Sequence, residues 1–315
     1  MDILCLDAAE VERLLELESL LAALAEAFKA LSSGDVSVPP RISAQVPDAG
    51  FLAAMPGYVP SMGIAVKLVS VFPRNHDRGM PSHQALIALF DPDTGTPLCV
   101  MDGTYITAVR TAAAAALSVK LLAREDATVL AIIGAGVQGA AHLRLLAQIR
   151  RFSATRVASR NHQHARRLAA EQPGASAVES FEEAVRGADV VCLCTHSGEP
   201  VVHAEWLKPG AHLTSVGYSP PQGELDPQVA RRGNLFVEGR VAFHPPPAGC
   251  GELAGIDPDT ATEIGELLLG LRPGRRSEDE ITVYKSMGHA VEDAAAASIV
   301  YRAAVEQGVG RNLRL

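Results

Sequence analysis

Aromatic side chains are scarce, at 4 % of 315 residues with a single tryptophan. A core with few rings is filled by Ala, Val, Leu and Ile, which favours helix-on-sheet packing over an aromatic-rich β-fold. Cysteine is also scarce. The five (Cys5, Cys99, Cys192, Cys194 and Cys250) are odd in number and scattered, which argues against a disulfide framework. Positive charge is in deficit, with 28 basic against 36 acidic residues and a net charge of −8. A nucleic-acid partner would call for a basic stripe, so none is expected. No uninterrupted apolar run reaches about 18 residues, the least that reads as a membrane helix, so no membrane association is expected. The start Met1-Asp2-Ile3-Leu4 lacks the basic n-region of a signal peptide, and the expected location is cytoplasmic. What the chain has in abundance is apolar substance. Hydrophobic residues make up 48 % and charged residues 20 %, enough for a sizeable core and against disorder. At about 100–200 residues per domain, the length suits one large domain or two ordinary ones.

The patterning changes character part-way along. Asp7 to Ser32 reads as one helix, capped by Asp7, with Val11, Leu14, Leu15, Leu20, Leu21 and Leu24 at helical spacing and Gly34 as its stop. Val38 to Val71 is extended, and Gly63–Val71 reads as a buried strand that contains Lys67. Gln84–Phe90 and Pro97–Met101 flank Asp91-Pro92-Asp93-Thr94-Gly95, the chemistry of a hairpin turn. An Ala-rich helix is expected over Asp102–Ala123, ended by the polar break Arg124-Glu125-Asp126, where a domain boundary is placed. Beyond it, Ala127–Ile133 is a continuous apolar strand, as in a parallel sheet covered on both faces. Further strands are expected at Arg156–Ala158, Val178, Ala188–Cys194, Ala211–Val216 and Asn234–Val237, with helices at Ala140–Gln148, His162–Glu171 and Phe181–Arg186 between them. That alternation predicts a doubly wound parallel sheet. Cys192 and Cys194 would point to one side of their strand. They read either as a metal pair or as buried apolar thiols. The thiols fit the apolar run better, so no metal site is expected.

The strongest motif is Gly134-Ala135-Gly136-Val137-Gln138-Gly139, which follows a strand and opens a helix. Its first glycine permits a tight turn, its second lets backbone approach a pyrophosphate, and its third allows close helix–strand packing. The phosphates would sit on amides at the positive end of the helix. The next strand ends in Ser159-Arg160-Asn161, without the carboxylate that reads an NAD ribose. Ser159 can donate to a 2′-phosphate and Arg160 can grip it as a fork, against the plainer alternative of a solvated arginine. NADPH is therefore the expected cofactor, with NADH as the alternative. In the N-terminal half, Arg41, Lys67 and Arg110 lie in stiff or apolar contexts, where unpaired cations are costly. They suggest an anionic ligand such as a carboxylate, or ordinary salt bridges.

Taken in order, these stretches resemble the ornithine cyclodeaminase/μ-crystallin family over nearly the whole chain. The matching pieces are Pro40-Arg41, the Lys67 strand, Gly79–Gln84, Asp102–Thr104, Thr107–Ala112, Gly134–Gly139, Trp206–Ala211, Val216-Gly217 and Val283–Asp293. The motifs are most similar to those of the family's NAD(P)H-dependent ketimine reductases. The resemblance implies a Rossmann domain over 125–288. It also implies a discontinuous α+β domain, from 1–124 and 289–315, that binds substrate and forms a homodimer through its sheet. It implies that Arg41 and Arg110 hold a substrate carboxylate, while Lys67 either shares that task or manages the proton. His83 and Thr111 match positions near the cofactor, although His83 could equally be a packed core histidine. Ala135, Val137, Gln138, Asn161, Thr195, Val216, Gly217 and Gly288 are cofactor positions by the same match, Ser286 lies in the segment beside the nicotinamide pocket, and Ser219 is a substrate position.

One departure separates the family's branches. The cyclodeaminases carry an Asp shortly after the Val-Gly pair, where this chain reads Val216-Gly217-Tyr218-Ser219-Pro220-Pro221, with no Asp before Asp226. A neutral Ser is a poor base for an ammonium proton, and the ketimine reductases have Ser there too. The resemblance therefore implies reduction of a small cyclic imino acid, Δ1-pyrroline-2-carboxylate or Δ1-piperideine-2-carboxylate, with NADPH. The competing readings are an ornithine or lysine cyclodeaminase, an amino-acid dehydrogenase or reductive aminase, and a non-enzymatic NADPH-binding protein.

Overall fold

The computed structural model describes residues 2–314, the His76 side chain excepted. The chain begins with strand β1 (Asp2–Leu6) and helix α1 (Ala8–Leu14). The Asp7 carboxylate accepts from the Glu10 amide, and Glu10 accepts in return from the Asp7 amide, a reciprocal cap. Helix α2 (Leu17–Ser33) ends at Gly34, in the left-handed conformation with φ 77°. The single helix expected over Asp7–Ser32 is thus two, because Leu15 turns extended (φ −93°, ψ 91°). A meander follows: β2 (Ile42–Val46), β3 (Gly50–Val59), β4 (Gly63–Val71), β5 (His83–Phe90) and β6 (Pro97–Asp102). The β5–β6 turn is held by Asp91, whose Oδ1 accepts from the amides of Asp93 and Thr94 and the Thr94 hydroxyl. Helix α3 (Gly103–Leu122) comes next.

Alternation then sets in: β7 (Val129–Ile133), α4 (Val137–Ile149), β8 (Ala154–Ala158), α5 (His162–Ala170), β9 (Ala175–Ala177), α6 (Phe181–Val185), β10 (Val190–Leu193), β11 (His212–Ser215), α7 (Pro227–Arg232), β12 (Asn234–Val237), β13 (Thr262–Glu263), α8 (Ile264–Leu268) and β14 (Thr282–Lys285). Helix α9 (Ala290–Gln307) and strand β15 (Arg311–Arg314) close the chain. Strand β9 lies just before Val178, whose amide still donates to the Val157 carbonyl.

The chain folds as two compact units, Met1–Arg110 with His289–Leu315, and Thr111–Gly288. The first division falls inside α3, earlier than the boundary read from the polar break at 124, because a continuous helix hides a change of neighbours from the sequence. The first unit carries a seven-stranded mixed sheet, ordered β15-β1-β6-β5-β4-β3-β2. One face of β3 and β4 packs on α9 through Ala53, Met55, Val69 and Ala290. Gly57 lets the strand and helix approach closely there, since a Cβ would sit a tight 3.1 Å from that of Ala290. The second unit is an eight-stranded parallel sheet, ordered β13-β12-β14-β11-β10-β7-β8-β9. Its strands are near-continuous apolar runs, as both-face burial requires. Direction of winding reverses between β7 and β10, so ligands are expected outside the carboxyl ends of these strands.

Helix α3 has no uninterrupted apolar run, since Arg110 and Lys120 fall within it, yet among the described residues it is long and apolar enough on average to cross a bilayer. Its apolar window is nonetheless 72 % buried inside the protein. All five cysteines are free, and among the described residues no cluster of potential metal ligands occurs. Burial pushes the Cys192 thiol up to about 12, an unreactive state.

Candidate active site

In the parallel unit, the glycine motif joins β7 to α4. Gly134 has φ +112°, and a Cβ there would lie 2.5 Å from the Cys194 carbonyl oxygen. A Cβ on Gly139 would fall 2.0 Å from the Gly134 carbonyl oxygen, so the helix sits against the turn. Gly136 differs. It caps α4 without a side-chain bond, and a Cβ there would meet nothing within 4 Å. The first amides of α4 are thereby left without a side-chain cap, behind a bare backbone surface. That cradle fits a dinucleotide pyrophosphate. At the end of β8, Ser159 is half-buried and Arg160 is exposed, with no ion pair among the described residues. The Asn161 side chain caps α5 by accepting from the Gln163 amide at 3.0 Å.

The loops after β10 and β11 converge on a residue that sequence reasoning passed over. Glu224, fully buried, accepts five hydrogen bonds: from Thr195 N (2.6 Å) and Thr195 Oγ1 (2.7 Å) at Oε2, and from Ser215 Oγ (3.0 Å), Val216 N (3.1 Å) and Gly217 N (2.6 Å) at Oε1. Burial raises its proton affinity, although Lys285 and these donors pull the other way. Lys285, at the end of β14, donates to Gly217 O (2.8 Å) and Ser215 Oγ (3.2 Å) and pairs with Glu252 at 2.8 Å. Burial works against the Lys285 ammonium, but Glu252 and Glu224 outweigh it and hold the pKa above the ordinary lysine value. Glu238, after β12, accepts from the Ser286 hydroxyl and from the amides of Met287 (3.0 Å) and Gly288 (3.2 Å). Thr195, Val216 and Gly217 are thus held by one buried carboxylate, Glu224, and Gly288 by another, Glu238. Ser219 is half-buried in the loop after β11, bridged to Gln222. Asp226 caps α7 by accepting from the Gln228 amide at 2.8 Å.

In the other unit, Lys67 and Arg110 meet carboxylates of α9. The α9-facing side of β4 presents Ala65, Lys67 and Val69, so the lysine enters the sheet–helix layer at 1 % exposure. Its Nζ donates to Asp293 Oδ1 at 2.9 Å, while Oδ2 lies 2.8 Å away but off the hydrogen-bonding direction. Arg110 donates through Nε to the same Oδ1 (3.1 Å) and through Nη1 to Glu292 Oε2 (3.2 Å). Glu292 also accepts from the His289 amide at the start of α9. Burial and the Arg110 charge bring Lys67 down to about 8, with Arg41 contributing and Asp293 opposing. Burial tends to raise Asp293, but Lys67 and Arg110 prevail and hold it below the usual carboxylate range. Arg41 is half-buried and near enough to act on Lys67 through its charge. His83, at the exposed start of β5, has Nδ1 3.2 Å from Ser82 Oγ, and so is no core histidine. Thr111 is buried on α3. Asp293 and Glu292 had no separate sequence signal beyond the matched Val283–Asp293 stretch. They lie in the first turn of the Ala-rich α9, and Asp293 pairs with a lysine 226 positions away.

Residues 1–308 match the sequence profile of the ornithine cyclodeaminase/mu-crystallin family. The chain belongs to that family. It is 39 % identical over 305 residues to the ketimine reductase mu-crystallin of Mus musculus, covering 94 % of this chain and 96 % of the relative. Among solved structures, it is similar to the Δ1-pyrroline-2-carboxylate reductase of Thermococcus litoralis in complex with NADH and L-proline. There the TM-score is 0.92 at 35 % identity, over 99 % of this chain and all of the other. It is also similar to an archaeal alanine dehydrogenase dimer with bound NAD, with a TM-score of 0.90 at 32 % identity over both whole chains. Family members thus share the parallel sheet and the mixed sheet seen here.

Proposed function

We propose that this family member reduces the C=N bond of a cyclic ketimine carboxylate, Δ1-pyrroline-2-carboxylate or Δ1-piperideine-2-carboxylate, to proline or pipecolate, with NADPH as the dinucleotide and as a homodimer. Like its relatives, the chain is an NAD(P)H-dependent oxidoreductase. The observation that carries the substrate reading is the buried cluster of Lys67, Arg110 and Asp293, with Arg41 close by. Guanidinium forks match a planar carboxylate, so Arg41 and Arg110 bind that of the substrate. Lys67, near 8, carries a proton at neutral pH and lies in the range where a group both gives and retakes one readily. It keeps the ketimine nitrogen protonated, itself or through a water it orients, and so makes the C=N carbon electrophilic. The nicotinamide, when bound, supplies the hydride that becomes the new C–H bond.

Reduction is favoured over cyclodeamination by the segment 216–226. Its two carboxylates are engaged, Glu224 under the loops and Asp226 on α7, and Ser219 is no base for an ammonium group. The likeness to alanine dehydrogenase supports a second reading, an open-chain amino-acid dehydrogenase using the same carboxylate grip. The test is dinucleotide oxidation with five- and six-membered cyclic imino acids, open-chain ketoacids with ammonia or methylamine, and ornithine. Cyclic imines are expected to be fastest. Equal rates with ketoacid and ammonia favour the second reading, and proline released from ornithine without net NADPH turnover rejects the first.

A further inference from the structure

Glu224 buries a carboxylate at the carboxyl edge of the parallel sheet, a costly place unless its bonds matter. All five donors to it come from the ends of two strands, β10 and β11, on the far side of β7 from β8. The glycine cradle lies at β7 and the ribose-reading turn at β8. A dinucleotide whose adenosine lies over β8 and whose pyrophosphate meets α4 must extend its other half over β10 and β11. Glu224 is itself clamped from below. Lys285 faces it from β14, Glu252 accepts from the Leu225 amide at 3.1 Å, and Gly223 leaves room for Glu252, whose Cδ would lie 2.3 Å from a Cβ there.

We infer that Glu224 is a positioning residue, which fixes the loops of Thr195 and of Val216-Gly217 as the bed for the nicotinamide half of the dinucleotide, with Lys285 and Glu252 holding it in place. The inference rests on the dinucleotide reading above. Its two oxygens make it irreplaceable by an amide. Oε2 accepts from the Thr195 amide and Oε1 from the Val216 and Gly217 amides, so glutamine, in either flip, turns an N–H toward an N–H.

The experiment is calorimetric titration of wild type and Glu224→Gln with NADPH, NADH and 2′,5′-ADP, the last a probe of the adenosine side alone. Removing a charged acceptor from buried donors is expected to raise the NADPH Kd by about 10-fold or more, while the 2′,5′-ADP Kd stays within about 2-fold. Equal weakening of both ligands marks a merely structural role and overturns the inference, as does an unchanged NADPH Kd. Should Glu224→Gln fail to fold, Ser215→Ala removes one of the donors with little change of shape. It is expected to raise the NADPH Kd by about 3-fold with 2′,5′-ADP unaffected, and no change in either overturns the inference. A wild type that binds neither dinucleotide rejects the dinucleotide reading and this inference together, whereas a wild type that binds beside variants that bind equally well rejects this inference alone.

Discussion

At the scale of single residues, the role proposed for the cluster around Lys67 rests on its charge, and that can be tested. Lys67→Met is expected to lower kcat for the cyclic imine by about 100-fold, the lower end of what a positioned proton donor contributes, with dinucleotide affinity within about 2-fold. A loss smaller than about 3-fold would remove Lys67 from proton handling. The pH profile carries the sign. Lys67 is an ammonium below about 8 and an amine above it, so imine reduction should fall as pH rises through about 8. Asp293 raises the Lys67 pKa. In Asp293→Asn that support is gone while Arg110 and Arg41 remain, so the falling limb should move to lower pH. A limb that stays in place, read from kcat/KM against pH, would separate Lys67 from it. The three cations were legible in the sequence because each stands in an apolar or stiff setting where a charge needs a reason. Their partners were less so. Glu292 and Asp293 lie in a helix whose composition reads as core, and only folding brings them to a strand more than half the chain away.

At the scale of elements, the order strand, glycine turn, helix was legible because the three are adjacent in sequence, although the helix begins at Val137, inside the motif, rather than at the expected Ala140. The motif's glycines do different work, which mutation separates. Gly139→Ala forces a Cβ to within 2.0 Å of the Gly134 carbonyl oxygen, an overpacking expected to destabilise by about 1–3 kcal/mol or more. Gly136→Ala meets nothing within 4 Å at φ −95°, so the melting temperature should hold while dinucleotide affinity falls. Equal melting losses would mean that the cradle is merely structural. At the neighbouring turn, Arg160→Ala should weaken NADPH by about 10-fold and NADH little, as loss of a charged hydrogen bond implies, and equal weakening would show that Arg160 does not read the 2′-phosphate. Elements made by distant pairing were among those missed, as were the short helices α7 and α8. β1 and β15 are short and more than 300 residues apart, and among the described residues β15 pairs with β1, which in turn pairs with β6. The break between α1 and α2 turns on one residue's backbone, which helical periodicity does not report.

At the scale of the whole molecule, the mixed sheet is unevenly covered. On β3 and β4, Met55 pairs with Lys67, which faces α9, and Lys67 pairs with Ile87. Alternation therefore puts Leu52, Leu68 and Leu86 on the opposite face, and the pairings Ala44–Leu52 and Ile42–Ala54 add β2 to it. There Ile42 is 70 %, Leu52 46 % and Leu86 42 % exposed. A contiguous apolar face of this kind on a sheet calls for a cover, and a standard interface hides about 800 Å² on each partner. A second copy of the chain is the cover we propose, by twofold pairing of the same face. Light scattering of the wild type should then give twice the chain mass. In Leu52→Glu/Leu86→Glu, each copy of the face would carry two charges against two more, so the mass should fall to one chain while the Lys67 side of the sheet keeps its helix. A wild type of single-chain mass would leave this face without its proposed cover, and a double variant that stays paired would place the contact elsewhere on the molecule.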